Sequence, residues 1–137
     1  MAKYKFIDHT ADVMFEAYGG NLNKLFENSG LALQELQVEL KNVKPKIIRE
    51  IHLENKSVEM LLLHILQELI FLKDTEQLIF SRIKVNVKDN KLKAVCYGEK
   101  IDIKKHECKV DAKAITLHKY EVKKEKDKWI ARVIVDI

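Results

Sequence analysis

Two short acidic stretches stand at opposite ends of the sequence: Asp8-His9-Thr10-Ala11-Asp12 and the closing pair Asp136-Ile137. Asp136 adjoins the α-carboxylate of Ile137. A fold that brought Asp12 to that spot would converge three negative oxygen groups. Hard cations such as Ca²⁺ and Mg²⁺ prefer oxygen-only surroundings of that kind. Without a cation such a cluster repels itself. Each acid also has an ordinary reading. Asp8 and Asp12 flank a turn between strands, where aspartates bond nearby backbone N–H groups. Asp12 opens an apolar strand, however, where a carboxylate is costly unless paired or bound. Asp136 closes a nearly all-apolar strand, Ile130 to Ile137, broken only by Arg132. A frayed terminus or a same-face ion pair with Arg132 would also account for it.

Other candidate chemistry is sparse. Lys113 and His118 sit in Ala112-Lys113-Ala114-Ile115-Thr116-Leu117-His118. Five residues apart on a strand they face opposite sides, so they form no obvious catalytic pair. His9, beside Asp8, could be a neutral histidine with an oriented tautomer. Nothing resembles a nucleophile with its base, a glycine-rich phosphate loop or a dinucleotide fingerprint. His106-x-Cys108 supplies two soft ligands, short of the four that a structural zinc site needs.

These residues must be positioned by a chain of 137 residues, long enough for a domain with a real core. Its hydrophobic fraction of 47% and charged fraction of 34% indicate a globular chain and exclude a disordered one. A formal charge of +4 does not by itself imply a nucleic-acid binder. The charge is uneven, with ten lysines against six acids and no arginine between Lys100 and Lys128. That stretch reads either as a solvated face or as a patch for an acidic or RNA-loaded partner. Two cysteines do not make a disulfide framework, and the N-terminus lacks an apolar signal core. The longest apolar stretch, Val58 to Leu72, is interrupted by Glu59, His64, Gln67 and Glu68. It is too short and polar to cross a bilayer, so the expectation is a protein of the reducing cytoplasm, with no membrane.

Tyr4 to Ile7 and Val13 to Tyr18 read as strands, the second by its period-2 alternation. Gly19-Gly20-Asn21 ends it and can cap a helix over Asn21 to about Gln37, interrupted by Gly30. Pro45 separates that helix from a half-exposed strand over Ile47 to Glu54. Ser57 can cap a second helix, in which Val58, Leu61, Leu62, Ile65, Leu66, Leu69 and Ile70 repeat at three and four. Leu63 and Phe71 widen that stripe, so the helix should be well buried. Arg82 to Lys88 and Leu92 to Tyr97 read as a hairpin around Asp89-Asn90, and Ala114 to Lys123 with Trp129 to Ile137 as another. The order β-β-α-β-α-β-β-β-β predicts an α+β fold: two layers, a largely antiparallel sheet with two helices packed on one face, as a single domain over 1–137.

Several segments together resemble the archease family: Tyr4 to Asp12, Ala17-Tyr18-Gly19, Lys113 to His118, and Val133-Ile134-Val135-Asp136-Ile137. The likeness runs essentially from end to end. It implies a non-enzymatic protein that activates the GTP-dependent RNA-splicing ligase of tRNA splicing, promoting ligase guanylylation and multiple turnover. It implies a divalent cation (Ca²⁺, Mg²⁺ or Mn²⁺) held by Asp12 and Asp136, with the α-carboxylate of Ile137 as third donor. Lys113 matches the family's functionally important lysine, and Asp8, His9 and His118 support the motif. Leu117 departs from it, standing where an aromatic residue is common. RNA contact would be indirect or weak. Two other functions fit the residues: a metal-dependent phosphoester hydrolase, and an RNA-binding or chaperone-like module acting through Lys100–Lys128.

Overall fold

The computed structural model describes residues 2–8 and 12–137, Asp8 through its backbone. The chain runs β1 (Tyr4–Asp8), β2 (Asp12–Gly19), α1 (Leu22–Gln37), a 3-10 turn (Leu40–Asn42), β3 (Ile47–Glu54), α2 (Val58–Glu76), β4 (Leu78–Lys88), β5 (Lys91–Lys100), β6 (Ala114–Glu125) and β7 (Lys128–Asp136). The fold is α+β, and every strand pairing is antiparallel. The strands divide between two sheets rather than filling one: a four-stranded sheet in the order β1-β2-β7-β6 and a three-stranded sheet in the order β3-β5-β4.

The side chains of α1 explain the division. Asn23, Glu27 and Gln34 form a polar stripe along that helix. They accept the N–H groups of Val87, Val85 and Phe80 at 2.8, 2.9 and 2.9 Å. These N–H groups lie along the outer edge of β4. An edge strand whose donors are already satisfied offers no ladder to a further strand. The same bonds account for the burial of Glu27 and of the Gln34 side-chain oxygen on a helix that mostly buries leucine, phenylalanine and alanine, while the Gln34 amide nitrogen is buried without a partner. Gly30 lets this helix lie close: a Cβ there would come within 2.8 Å of the Ile83 side chain.

Both helices are capped as their sequences predict. Asn21 accepts the Lys24 N–H at 2.9 Å and Ser57 accepts the Met60 N–H at 3.2 Å. Each helix touches strands of both sheets. The resulting core joins Phe15, Ala131 and Val133 of the first sheet, Ile83, Ala94 and Cys96 of the second, and the leucines of α1 and α2. β2 and β7 lie at the centre of the four-stranded sheet and are paired over eight positions, from Asp12↔Asp136 to Gly19↔Trp129. That pairing joins the first and last thirds of the sequence.

Candidate metal-binding and partner-facing site

Asp12 and Asp136 are the closing pair of the β2–β7 ladder. Residues directly opposite in an antiparallel pair project to the same face, with Cβ atoms about 4.5–5.5 Å apart. Like charges so placed destabilise the ladder. The next pair on that face is Met14↔Ile134, and the one after is Glu16↔Arg132. Met14 and Ile134 are buried yet belong to neither apolar core cluster. They separate the acid pair from the ion pair beyond it. Arg132 pairs there instead: its Nε and Nη2 donate to Glu16 Oε2 at 3.0 and 2.6 Å. Tyr18 donates to the other Glu16 oxygen at 3.0 Å, and Lys5 lies 3.5 Å from it. The Arg132 guanidinium, above all, holds the Glu16 carboxyl below its ordinary range. The same-face ion pair between Arg132 and Asp136 is therefore not what the chain makes.

The remaining candidates surround this end of the sheet to different degrees. Asp8 closes β1 opposite Val13, one position from Asp12. His9 lies outside the described residues. Asp136 is exposed, as is Ile137. Lys113 precedes β6, and its N–H donates to the Asp136 carbonyl at 2.8 Å. Its side chain is exposed and lines a shallow cleft of about 210 Å³ with Gln67, Phe71 and Asp74 of α2. His118 is exposed, and its N–H donates to Thr116 Oγ1 at 3.1 Å. The β6–β7 register shifts between Thr116 and Glu121. Strict alternation therefore does not extend from Lys113 to His118, and the expectation that they face opposite sides loses its basis.

Among the described residues, no three His, Cys, Asp or Glu side chains gather as a metal-holding group. What the described chain offers is a two-carboxylate nucleus at a strand end, with oxygen as its only donor type. That donor set suits a hard cation and not zinc. Two carboxylates at a strand end supply part of the oxygen set that a hard cation such as Ca²⁺ or Mg²⁺ takes.

His106 and Cys108 do something else. The buried His106 ring accepts the Asp102 N–H on Nδ1 at 2.9 Å and meets Glu99 through Nε2 at 3.0 Å. Both ring nitrogens are committed to this structural network. Burial would raise the Glu99 carboxyl, but Lys105, the Lys44 N–H and His106 outweigh it and hold it at about 2. Five of the ten lysines between Lys100 and Lys128 pair with acids or lie over aromatic rings. Lys105 pairs with Glu99, Lys109 with Glu39, and Lys123 with Glu121 and Glu125. Lys124 and Lys128 lie over the rings of Trp129 and Tyr18.

Residues 4–137 match the profile described as the Archease protein family (MTH1598/TM1083). The chain belongs to the archease family. It is 38% identical over 142 aligned positions to the protein archease of Pyrococcus abyssi, covering all of both chains. It is 39% identical to that of Pyrobaculum islandicum, over 98% of this chain and 95% of the relative. The solution structure of protein 1598 from Methanobacterium thermoautotrophicum is similar along the full length of both chains, at 34% identity and a TM-score of 0.83. A Thermotoga maritima crystal structure, described as an archease and possible chaperone, shares the fold at 22% identity and a TM-score of 0.69.

Sequence reasoning missed two residues beneath the site, Lys73 and Gln37. Both are buried polar side chains that bond the segment leading into β6. A signal for Lys73 was present: it follows Leu69 by four and Ile70 by three, on the buried stripe of α2.

Proposed function

We propose that this archease-family chain activates the GTP-dependent RNA-splicing ligase of tRNA splicing, promoting ligase guanylylation and repeated turnover, without catalysing a reaction itself. Asp12, Asp136 and the α-carboxylate of Ile137 would hold a divalent cation. That cation would offset phosphate charge where the ligase reacts with its nucleotide. Lys113 would supply a positive side chain at the rim, free to meet the partner because its backbone, not its ammonium, bonds to Asp136. Asp8, His9 and His118 would support the turn and rim.

The observation that supports this reading is the Asp12↔Asp136 pairing in a chain of this family. A ladder that sets like charges opposite each other gives up stability. An oxygen-binding cation at the pair recovers it, and carries positive charge toward an anionic partner pocket.

The test is ligase guanylylation followed with labelled GTP, with and without the purified chain. Asp136→Ala, checked for folding by circular dichroism, should lose stimulation. Undiminished stimulation by that folded variant would overturn the proposal.

A further inference from the structure

A side-chain cluster beneath the acid pair is not used by the function proposed above. Lys73, in the last turns of α2, is only 7% exposed. Its ammonium donates to the Ala112 carbonyl at 2.7 Å and to the Asp111 carboxylate, and lies 2.8 Å from Asp74 Oδ1. Gln37, the last residue of α1, works from the other side. Its side-chain oxygen accepts the Ala112 N–H at 3.3 Å, and its carbonyl accepts the Lys109 N–H at 2.7 Å. Its amide nitrogen donates back to the Leu33 carbonyl at 3.2 Å, which fixes the side chain's direction.

Both backbone polar groups of the fully buried Ala112 are therefore held by side chains from two different helices. The following N–H, that of Lys113, bonds to the Asp136 carbonyl, and Ala114 stands opposite Asp136 in the ladder. The connection from 101 to 113 contains no helix or strand of its own beyond the isolated bridge Val38↔Cys108. A connection of that length needs external anchors to deliver its last residue to one place.

Packing alone does not call for a lysine here, because an apolar residue would fill the buried stripe equally well. Burial works against the charge on Lys73, yet Asp111 and Asp74 outweigh it and keep the ammonium protonated above its ordinary range. A charged donor holds a carbonyl more strongly than a neutral one.

We infer that Lys73 is a positioning residue for the acid pair: with Gln37 it clamps Ala112, sets where β6 enters the sheet, and holds Lys113 against Asp136. The purpose of the clamp rests on the function proposed above. The clamp itself is a matter of backbone order and can be measured alone.

Lys73→Met keeps most of the apolar stem, one atom shorter, while removing the donor. Asp111 and Asp74, both mostly solvent-exposed, are left hydrated and not stranded. Residue-resolved amide exchange should show the Lys113 N–H exchanging at least about tenfold faster, with Val133 and Val135 unchanged. Asp111→Ala, which leaves the ammonium on the Ala112 carbonyl, should exchange at Lys113 as the wild type does. Calcium titration by calorimetry should give about tenfold weaker binding in Lys73→Met; stranding the Ala112 carbonyl also lowers its melting temperature, so Ile51→Val, a comparable loss in the second sheet, is the control and should bind calcium as the wild type does. A merely structural role for Lys73 would not produce that combination. Unchanged exchange at Lys113 in Lys73→Met overturns the clamp. Faster exchange with undiminished calcium affinity overturns its service to the acid pair. Absence of calcium binding by the wild type would instead overturn the cation site, leaving the exchange result to decide the clamp.

Discussion

Replacing Asp136 with asparagine should make the cation-free chain more stable and the cation-loaded chain less so. The two aspartates stand directly opposite each other in one antiparallel ladder, their side chains on the same face. With Cβ atoms about 5 Å apart, their charges lie roughly 6 Å from each other. Coulomb's law then gives a repulsion of about 0.7 kcal/mol at the dielectric of water and ~2.8 kcal/mol at an effective value near 20. Asp136 is exposed, so the effect belongs near the lower end, about 1 kcal/mol. For a chain of this size that corresponds to a rise of about 3–5 °C in melting temperature. Cation binding reverses the order. Calcium at roughly one hundred times its dissociation constant stabilises the wild type by ~2.7 kcal/mol. Asp136→Asn would forfeit most of that gain. Circular-dichroism melts of both proteins, in chelator and in calcium, measure all four values. A lower melting temperature for Asp136→Asn than for the wild type in chelator, or an equal calcium shift in both proteins, would refute the repulsion and the cation site in turn.

Three further outcomes follow from the surrounding structure. Glu99 has its carboxyl lowered from 4.5 to about 2, so the stability it contributes is fully present above pH 4.5 and disappears as the pH falls toward 2. Glu99→Gln should remove this part of the acid-unfolding slope, on the order of 3 kcal/mol, with urea titrations across that window as the measurement. Gly98→Ala should be severely destabilising, by more than about 3 kcal/mol, because the new Cβ would stand 1.9 Å from the Ile79 carbonyl oxygen and 2.7 Å from Phe80 Cα. Backbone atoms cannot swing aside as side-chain tips do, so thermal melts should show a large drop in melting temperature. Gln34→Leu should cost about 1–3 kcal/mol by stranding the Phe80 N–H on the β4 edge, visible in denaturant midpoints and in faster exchange at that amide.

The order of elements was legible because each carries its own local signal. Val13 to Tyr18 alternates, Ser57 caps a helix, and Asp89-Asn90 turns with positive φ at both residues. The division into two sheets was not legible. It depends on Asn23, Glu27 and Gln34 reaching N–H groups 46 to 64 residues away. Nothing in a local pattern tells whether a polar helical residue faces water or an edge strand. The candidate site was half legible. Asp12 and Asp136 stood out as acids beside apolar strands, but Arg132 looked like a partner for Asp136 until its bonds to Glu16 were seen. The bulge after Thr116 also carries no turn residue that would have marked it, so the alternation from Lys113 to His118 was read too far.

By itself the sequence determined the elements, their order, the caps of both helices and the family to which the chain belongs. These depend on periodicity, backbone preference and motif spacing, all properties of near neighbours along the chain. Tertiary structure decided that β2 pairs with β7, that Asp12 meets Asp136, and that Lys73 and Gln37 converge on Ala112. Those facts depend on strand register and helix placement. Both are selected by the whole core at once, since sliding a strand by one residue would turn its buried face outward.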